Sequence, residues 1–295
     1  MARDRALLYL SLAAMSAGWG SSYLFYKLAL PEAPPLAIAF LRGGLAAAGL
    51  AAVLLALGRR IRLTRTLLLP SLVFGAANGW VPNSLTAHAL LDVDSATAGM
   101  LNAATPLATA LLAHVAIREE RLAWRSALGV GVGFCGVFLL IGPDAVLGGR
   151  GTLLGSLLML GAACSYAVAT VAGRRLKAED PEQLALGQFV VNAVGCLVLS
   201  LAFEPGWRPA FSSEGWAAVI VLGVGCSVLP SVLFFWLLGR WPASSVATVS
   251  YLIPLWSTVL GVAILGERPS ATALLGGGAI LLGVWIATSA KRPTV

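Results

Sequence analysis

Ten runs of mostly apolar residues, each as long as a bilayer-spanning helix, follow one another along this chain of 295 residues. A helix that crosses the hydrocarbon core needs about 20 such residues. Only 11% of the residues are charged and 58% are hydrophobic, a balance that would expose too much apolar surface to water. The sequence therefore predicts an all-α integral membrane protein with ten transmembrane helices. The predicted spans are residues 6–29, 34–57, 67–89, 94–117, 123–141, 152–173, 183–203, 215–238, 243–265 and 270–289.

Lysine and arginine are distributed unevenly over the segments that join these runs. With a cytoplasmic N-terminus, fifteen of the 20 basic residues fall on the cytoplasmic side, three fall on the opposite side, and Lys27 and Arg42 lie within spans. Because basic loops stay cytoplasmic, we expect both chain ends on the cytoplasmic side of a bacterial inner membrane. The basic residues form short clusters between apolar runs, so the net charge of +7 predicts no nucleic-acid partner.

An internal repeat relates the two halves of the chain. Adding 148 to a position in the third to fifth spans reaches a matching residue in the eighth to tenth, as Pro82 matches Pro230 and Pro106 matches Pro254. Each half holds five spans, and because five is odd the second half enters the membrane from the opposite side. We therefore expect two inverted five-helix repeats in one compact membrane domain, an arrangement found in secondary transporters. The repeats are residues 1–146 and 147–295.

These four prolines each remove a backbone hydrogen bond from a membrane helix, which kinks it. Because Pro82, Pro106, Pro230 and Pro254 occupy repeat-related positions, we predict paired kinks around a central cavity. The sequence leaves open whether the kinks also permit gating or are tolerated bends without motion.

Polar and aromatic side chains within the spans are the candidates for substrate binding, since polar groups in a membrane usually face the bundle interior. Trp80 and Asn83 are expected to share one helix face, as are Trp19 and Tyr23, and such aromatic walls suit a small-molecule pocket. The alternative is that the amides hold helices together and the aromatic rings anchor span ends. The predicted substrate-binding residues are Trp19, Tyr23, Arg42, Asn78, Trp80, Asn83, Asn102, Tyr166, Gln188 and Tyr251.

The ionisable residues inside the membrane are few. Arg42 lies about eight residues into its span, roughly 12 Å deep, where it either binds a substrate carboxylate or makes structural hydrogen bonds. All 13 acidic residues lie in loops or at span ends, so the chain lacks a buried carboxylate relay for protons. We predict facilitated movement or exchange without obligatory proton coupling, with His88 as the alternative proton carrier.

The same inventory argues against an enzyme. The four cysteines lie in apolar runs without metal-ligand spacing, and no acidic pair that could bind a metal and diphosphate lies inside a span. No catalytic residue, metal or cofactor is predicted. The expected partners are a small-molecule substrate and the lipid bilayer, the expected state is a monomer, and a membrane enzyme or a scaffold without transport is the lesser alternative.

Three patterns resemble the EamA-type members of the drug/metabolite transporter superfamily. They are Trp19–Lys27 in the first span, Pro35–Arg42 in the second, and a proline, apolar run and glutamate that occur twice, in Pro106–Glu119 and Pro254–Glu267. The resemblance implies ten helices in two inverted repeats and the export of metabolites such as amino acids. The bacterial aromatic amino-acid exporters are similar in length and organisation. The chain departs from the family at Ala163–Tyr166, where a tryptophan is usual.

The expected substrates are therefore amino acids with aromatic or other apolar side chains, moved by alternating access between the two repeats. Nucleotide sugars, organic phosphates and cationic drugs are the alternatives. A phosphate substrate calls for several basic residues in the pocket, and the spans contain only Lys27 and Arg42.

Overall fold

The fold was obtained as a computed structural model, and it describes residues 2–62, 64–117, 122–173, 176, 180–238, 240 and 249–289. These residues form helices joined by short connections, and none of them lies in a β-strand. A helix satisfies every backbone hydrogen bond within one segment, which is what a chain this apolar requires in lipid.

Twelve α-helices and two π-helical segments make up the described part of the chain. The π-helical segments, π1 and π2, interrupt two of the long apolar runs. In chain order the elements are α1 Ala2–Ala29, α2 Pro35–Ala56, α3 Arg65–Gly75, π1 Ala76–Trp80, α4 Val81–Asp92, α5 Ser95–Asn102, α6 Thr105–Ala116, α7 Trp124–Gly173, α8 Pro181–Phe203, α9 Ser213–Ile220, π2 Val221–Val228, α10 Leu229–Leu238, α11 Val249–Leu265 and α12 Ala271–Ser289.

Seven helical stretches among the described residues are long and apolar enough to cross a membrane, and α11 is a shorter apolar helix. The seven coincide with predicted spans, as do α1 and the broken helix from α3 to α4. The start of the ninth predicted span, at 243–248, lies outside the described residues. The seven long stretches are Pro35–Ala56, Ser95–Ala116, Trp124–Gly142, Thr152–Gly173, Pro181–Phe203, Ser213–Phe234 and Ala271–Ser289.

Helix α7 contains two of these stretches. Its 50 residues would extend about 75 Å, far more than the roughly 30 Å hydrocarbon core. The two stretches pack against different helices: Gly136 faces the backbone of Gly276 in α12, whereas Gly155 faces the carbonyl of Ala89 in α4. They therefore behave as two separate packing elements.

The π-helical segments interrupt the two halves of the chain at matching positions. The backbone N–H of Val81 donates to Ala76, and that of Leu229 donates to Val224, five residues back in each case. All four positions match under the 148-residue offset. In the first half, this shift leaves the carbonyl of Ala77 without its usual helical donor. This carbonyl accepts a hydrogen bond from the Ser165 hydroxyl of α7 at 2.8 Å instead.

Close helix contacts across the halves are matched as well. Gly75 lies so near α8 that a β-carbon there would come 2.3 Å from Val191, and a β-carbon on Gly223 would come 2.6 Å from Leu45 in α2. Such contacts need glycine because membrane helices gain their affinity from close van der Waals packing. In the first half, α3 thus packs closely on α8 of the second half. In the second half, π2 packs in the same way on α2 of the first half.

Candidate functional site

A cavity of about 330 Å³ lies among helices of both halves, where the π-helical segments and the proline positions meet. Eight of the ten residues predicted to bind substrate line it, and so do two of the four prolines, Pro106 and Pro254. The eight are Trp19, Tyr23, Arg42, Asn78, Asn83, Asn102, Tyr166 and Gln188. Their contact with a substrate stays a prediction.

Trp80 and Tyr251 do not line this cavity, and their contact with a substrate stays a prediction. Trp80 ends π1, where Gly79 has the non-helical angles φ −123° and ψ −105°, and its ring packs against Gly195 of α8. Asn83 contacts the same helix through Asn192, so the two residues share a helix face as predicted, but only Asn83 reaches the cavity. The Tyr251 hydroxyl pairs instead with the hydroxyl of Thr288 in α12, 2.8 Å away.

Several residues outside the predicted substrate-binding set also line the cavity. Thr86, Thr105, Phe189 and Asn192 line the cavity together with the serines at 227, 231 and 250. A serine in an apolar run is an ambiguous signal, since its hydroxyl often bonds its own helix backbone. The internal offset could have found all three serines, because each one matches a first-half residue that also lines the cavity.

Lining residues in fact recur as pairs between 146 and 148 positions apart, one from each half. The pairs are Trp19 and Tyr166, Tyr23 and Thr170, Arg42 and Gln188, Ala46 and Asn192, Gly79 and Ser227, Asn83 and Ser231, Asn102 and Ser250, Thr105 and Ile253, and Pro106 and Pro254. The two halves therefore build the cavity from equivalent positions. They differ in chemistry, because the first half contributes a cation where the second contributes a neutral amide.

A polar network centres on Arg42. Its Nε donates to the Ser227 hydroxyl in π2 at 3.1 Å, and its Nη1 donates to Asn83 Oδ1 in α4, also at 3.1 Å. Asn83 Nδ2 donates in turn to Asn192 Oδ1 of α8 at 3.2 Å. The ring of Tyr26 lies under the guanidinium, 5.5 Å from its centroid to Cζ. One arginine thus ties elements of both halves together at the cavity wall.

The charge of Arg42 has no acidic partner in the part of the chain that the structure describes. None of the described residues that line the cavity is an aspartate or glutamate, and no salt bridge to Arg42 occurs among the described residues. Arg42 is partly exposed as a residue, and it lines the cavity. A cavity with a single cation and neutral polar walls favours a neutral, zwitterionic or singly anionic solute over a cation.

The cavity continues toward one end of the helix bundle. A second cavity of about 530 Å³ shares Trp19, Asn78 and Gln188 with the first and extends past Gly173 to Pro181. That end carries the connection between α7 and α8, which is cytoplasmic in the predicted orientation.

Carboxylates join the two halves at the opposite end. Glu204, which follows α8, accepts a hydrogen bond from the backbone N–H of Leu36 at 2.8 Å, in the first turn of α2. Glu32, which follows α1, accepts from the backbone N–H of Ser212 at 2.6 Å, just before α9. Glu267 makes a third link of this kind to α5. Carboxylates at helix N-termini are favourable because they satisfy free N–H groups and meet the positive end of the helix dipole.

Three of the four predicted kink prolines directly follow a helix interruption. Pro82 and Pro230 are the second residues of α4 and α10, after π1 and π2, and Pro106 is the second residue of α6, after a two-residue break. Pro254 lies inside α11, whose helix is continuous around it. A gating role for these prolines stays a prediction.

No group of three or more histidine, cysteine or acidic side chains that could hold a metal occurs among the described residues. The cavity offers hydrogen bonds, aromatic faces and one positive charge. Such a site binds and releases a small molecule.

Known proteins of similar sequence are transporters. An uncharacterized transporter of Archaeoglobus fulgidus is 26% identical over 285 residues, covering 93% of this chain and 94% of the relative. The uncharacterized inner membrane transporter YedA of Escherichia coli is 26% identical over 280 residues, covering 92% and 88%. The S-adenosylmethionine/S-adenosylhomocysteine transporter of Chlamydia trachomatis serovar D is 25% identical over 277 residues, covering 90% and 84%.

The fold matches a solved crystal structure with a TM-score of 0.69 and 24% identity, covering 98% of this chain and 99% of that one. A family model matches this sequence twice, at residues 5–142 and 153–289. Together the two matches span nearly the whole chain. The chain belongs to the EamA-like transporter family.

Proposed function

We propose that this membrane transporter exports amino acids with aromatic or other apolar side chains. The observation that carries the proposal is the composition of the cavity: aromatic faces from Trp19, Tyr23 and Tyr166, neutral amides, and the single cation Arg42. An apolar side chain gains from burial against the rings, and an ammonium can rest on a ring face or on amide oxygens. Its carboxylate meets the only positive charge among the described lining residues.

The size of the cavity supports a substrate of this class. Its volume of about 330 Å³ is at the lower end of the range for small-molecule pockets, roughly 300 to 1,000 Å³. Nucleotide sugars and organic phosphates are larger or more highly charged, and one arginine provides too little compensation for a diphosphate. Cationic drugs would meet an uncompensated positive charge.

Transport is proposed to proceed by alternating access between two inverted five-helix repeats with ten membrane crossings. The twofold match to the family model, the paired lining residues and the matched π-helical segments support this arrangement. With both chain ends in the cytoplasm, the cavity is open toward the cytoplasm, and the carboxylate links close its outer end. A bacterial inner membrane is the proposed location.

A counterflow experiment tests the proposal. The purified protein is reconstituted into liposomes loaded with one unlabelled solute, and uptake of labelled phenylalanine or tryptophan is followed. The panel also includes a sugar, a polyamine and S-adenosylmethionine, the last because one relative is named for it. We expect phenylalanine, tryptophan and leucine to exchange and the polyamine to fail. Exchange of another class without any amino acid would overturn the substrate assignment.

A further inference from the structure

We propose that Arg42 is the carboxylate receptor of the cavity, so that the transporter recognises the acid group of its substrate and discriminates against the corresponding amide. The inference rests on the proposed function, because it concerns the same cavity. It goes further in naming the substrate group that is recognised, the residue that contacts it and the direction in which the substrate lies.

The donors of Arg42 are only partly used by the protein. A guanidinium has five N–H groups, and the hydrogen bonds to Ser227 and Asn83 occupy two of them. Even when the neighbouring Tyr26 hydroxyl takes a third, two remain. No acceptor for these two N–H groups occurs among the described residues, so they are available to a carboxylate.

The charge of Arg42 argues in the same direction. A cation deep in a membrane protein pairs with an anion or with several oxygen acceptors, because desolvation without compensation is costly. Here the acceptors are a hydroxyl and an amide, and both are neutral. A purely structural role would leave the positive charge uncompensated, whereas a carboxylate ligand neutralises it.

The internal repeat gives the substrate a direction. The position equivalent to Arg42 in the second half is Gln188, which also lines the cavity and carries no charge. Although the two halves contribute equivalent positions to the cavity, only the first half contributes a positive charge at this pair. The carboxylate is held on the Arg42 side of the cavity rather than at Gln188.

Asn83 and Ser227 are positioning residues in this arrangement. Asn83 follows π1 in the first half and Ser227 belongs to π2 in the second half, so both interruptions hold the same guanidinium. The Ser227 hydroxyl also donates to the carbonyl of Leu222 at 3.1 Å, which fixes its lone pairs toward Arg42. The guanidinium fork is therefore oriented before a ligand arrives, which lowers the entropic cost of binding.

The test compares matched acids and amides as competitors of counterflow: phenylalanine against phenylalaninamide, and tryptophan against tryptophanamide. In the unmodified protein we expect each acid to compete roughly 10- to 100-fold better than its amide, the size of one charge-assisted interaction. Arg42→Gln should reduce the acid to the level of the amide and leave amide affinity within about threefold. Arg42→Lys, which keeps the charge but not the fork, should fall between them.

The control is Arg59→Gln, which removes an exposed arginine that pairs with Glu182 outside the cavity. It should keep the full preference for the acid. An Arg42→Gln protein that folds and still prefers the acid would overturn the inference while amino-acid transport stands. If Arg42→Gln does not fold, the unmodified protein and Arg42→Lys provide the test. Equal competition by acid and amide in the unmodified protein overturns the inference. A strong preference for the acid that Arg42→Lys reduces supports it.

Failure of the proposed function has a different signature. If the unmodified protein exchanges no amino acid, a pair without an amino group, indole-3-propionate and its amide, is tested by the ligand-induced rise in Tm of the purified protein. The carboxylate receptor is supported if only the acid raises Tm and this rise disappears in Arg42→Gln. Where Arg42→Gln does not fold, the rise should disappear in Arg42→Lys. Equal stabilisation by both compounds, or by neither, overturns it.

Discussion

Glu267 Oε1 accepts hydrogen bonds from both the backbone N–H and the hydroxyl of Ser95, at 2.8 Å and 2.7 Å. Its second oxygen accepts from the backbone N–H of Ala96 at 3.1 Å. A residue that follows α11, in the second half, thus caps the N-terminus of α5, in the first half. With the links made by Glu32 and Glu204, it holds the two halves together at the end of the bundle opposite the second cavity.

Glu267→Gln should shift the conformational equilibrium toward the state that is open at this end. The substitution removes the charge from a group with several N–H and O–H donors, at a cost of about 1 to 2 kcal/mol, or roughly a tenfold change in population. The measurement is labelling of a cysteine introduced at Ser231 in the cavity, in a background without native cysteines, by an impermeant maleimide added from outside. Labelling should become faster.

Glu214→Gln is the matched control for this shift. Glu214 lies at the same end, in the first turn of α9, and its partner is the adjacent Ser213 rather than the other half. Labelling at Ser231 should be unchanged. Equal acceleration in both variants would show that loss of negative charge at this face, and not loss of the link, opens the cavity.

Gly283→Ala should lower Tm by several degrees, whereas Gly278→Ala should not. A β-carbon on Gly283 would lie 2.4 Å from the backbone nitrogen of Gly133, so α12 and α7 would have to separate, at about 1 to 3 kcal/mol. Gly278 lies in the same helix with nothing within 4 Å of its would-be β-carbon, and alanine favours helix there. Thermal unfolding in detergent provides the comparison, and equal Tm values would contradict the packing of these helices.

Asn83→Ala and Trp80→Ala should affect different quantities, although the residues lie only three positions apart. Asn83 holds Arg42 and Asn192 at the cavity wall, so its loss should raise KM for exchange about tenfold with little change in protein yield. Trp80 packs on Gly195 outside the cavity, so its truncation should cost about 2 kcal/mol or more of stability and leave KM unchanged. A raised KM for a stable Trp80→Ala protein would place its ring at the substrate.

This pair of residues shows what the sequence could predict and where local reasoning failed. Apolar run length located the helices, because the bilayer fixes the number of residues that a span requires. Polar and aromatic residues in those runs identified eight residues of the cavity wall, because membrane helices turn polar groups inward. Trp80 and Asn83 do share a face, toward α8, but residue spacing alone does not show which part of that face lines a cavity and which part packs on a neighbouring glycine.

The second half of the cavity was harder to predict for a different reason. Its equivalents of Gly79 and Asn83 are Ser227 and Ser231, which look like ordinary helix residues when read singly. Only the comparison of the two halves separates them from other serines. The links made by Glu32, Glu204 and Glu267 could not be predicted from the sequence either. They depend on which loop of one half meets which helix end of the other half.

Transport should not require a proton gradient. The described lining of the cavity contains no carboxylate, and His88 lies outside it, with Nδ1 2.8 Å from the carbonyl oxygen of Ser84 in its own helix. A carrier driven by protons needs a group that gains and loses a proton as the cavity changes sides. We therefore expect labelled substrate in proteoliposomes to equilibrate at the same level with and without an imposed pH gradient, and His88→Gln to exchange at the normal rate. Accumulation against the substrate gradient that appears only with the pH gradient, and that His88→Gln abolishes, would assign proton coupling to this histidine.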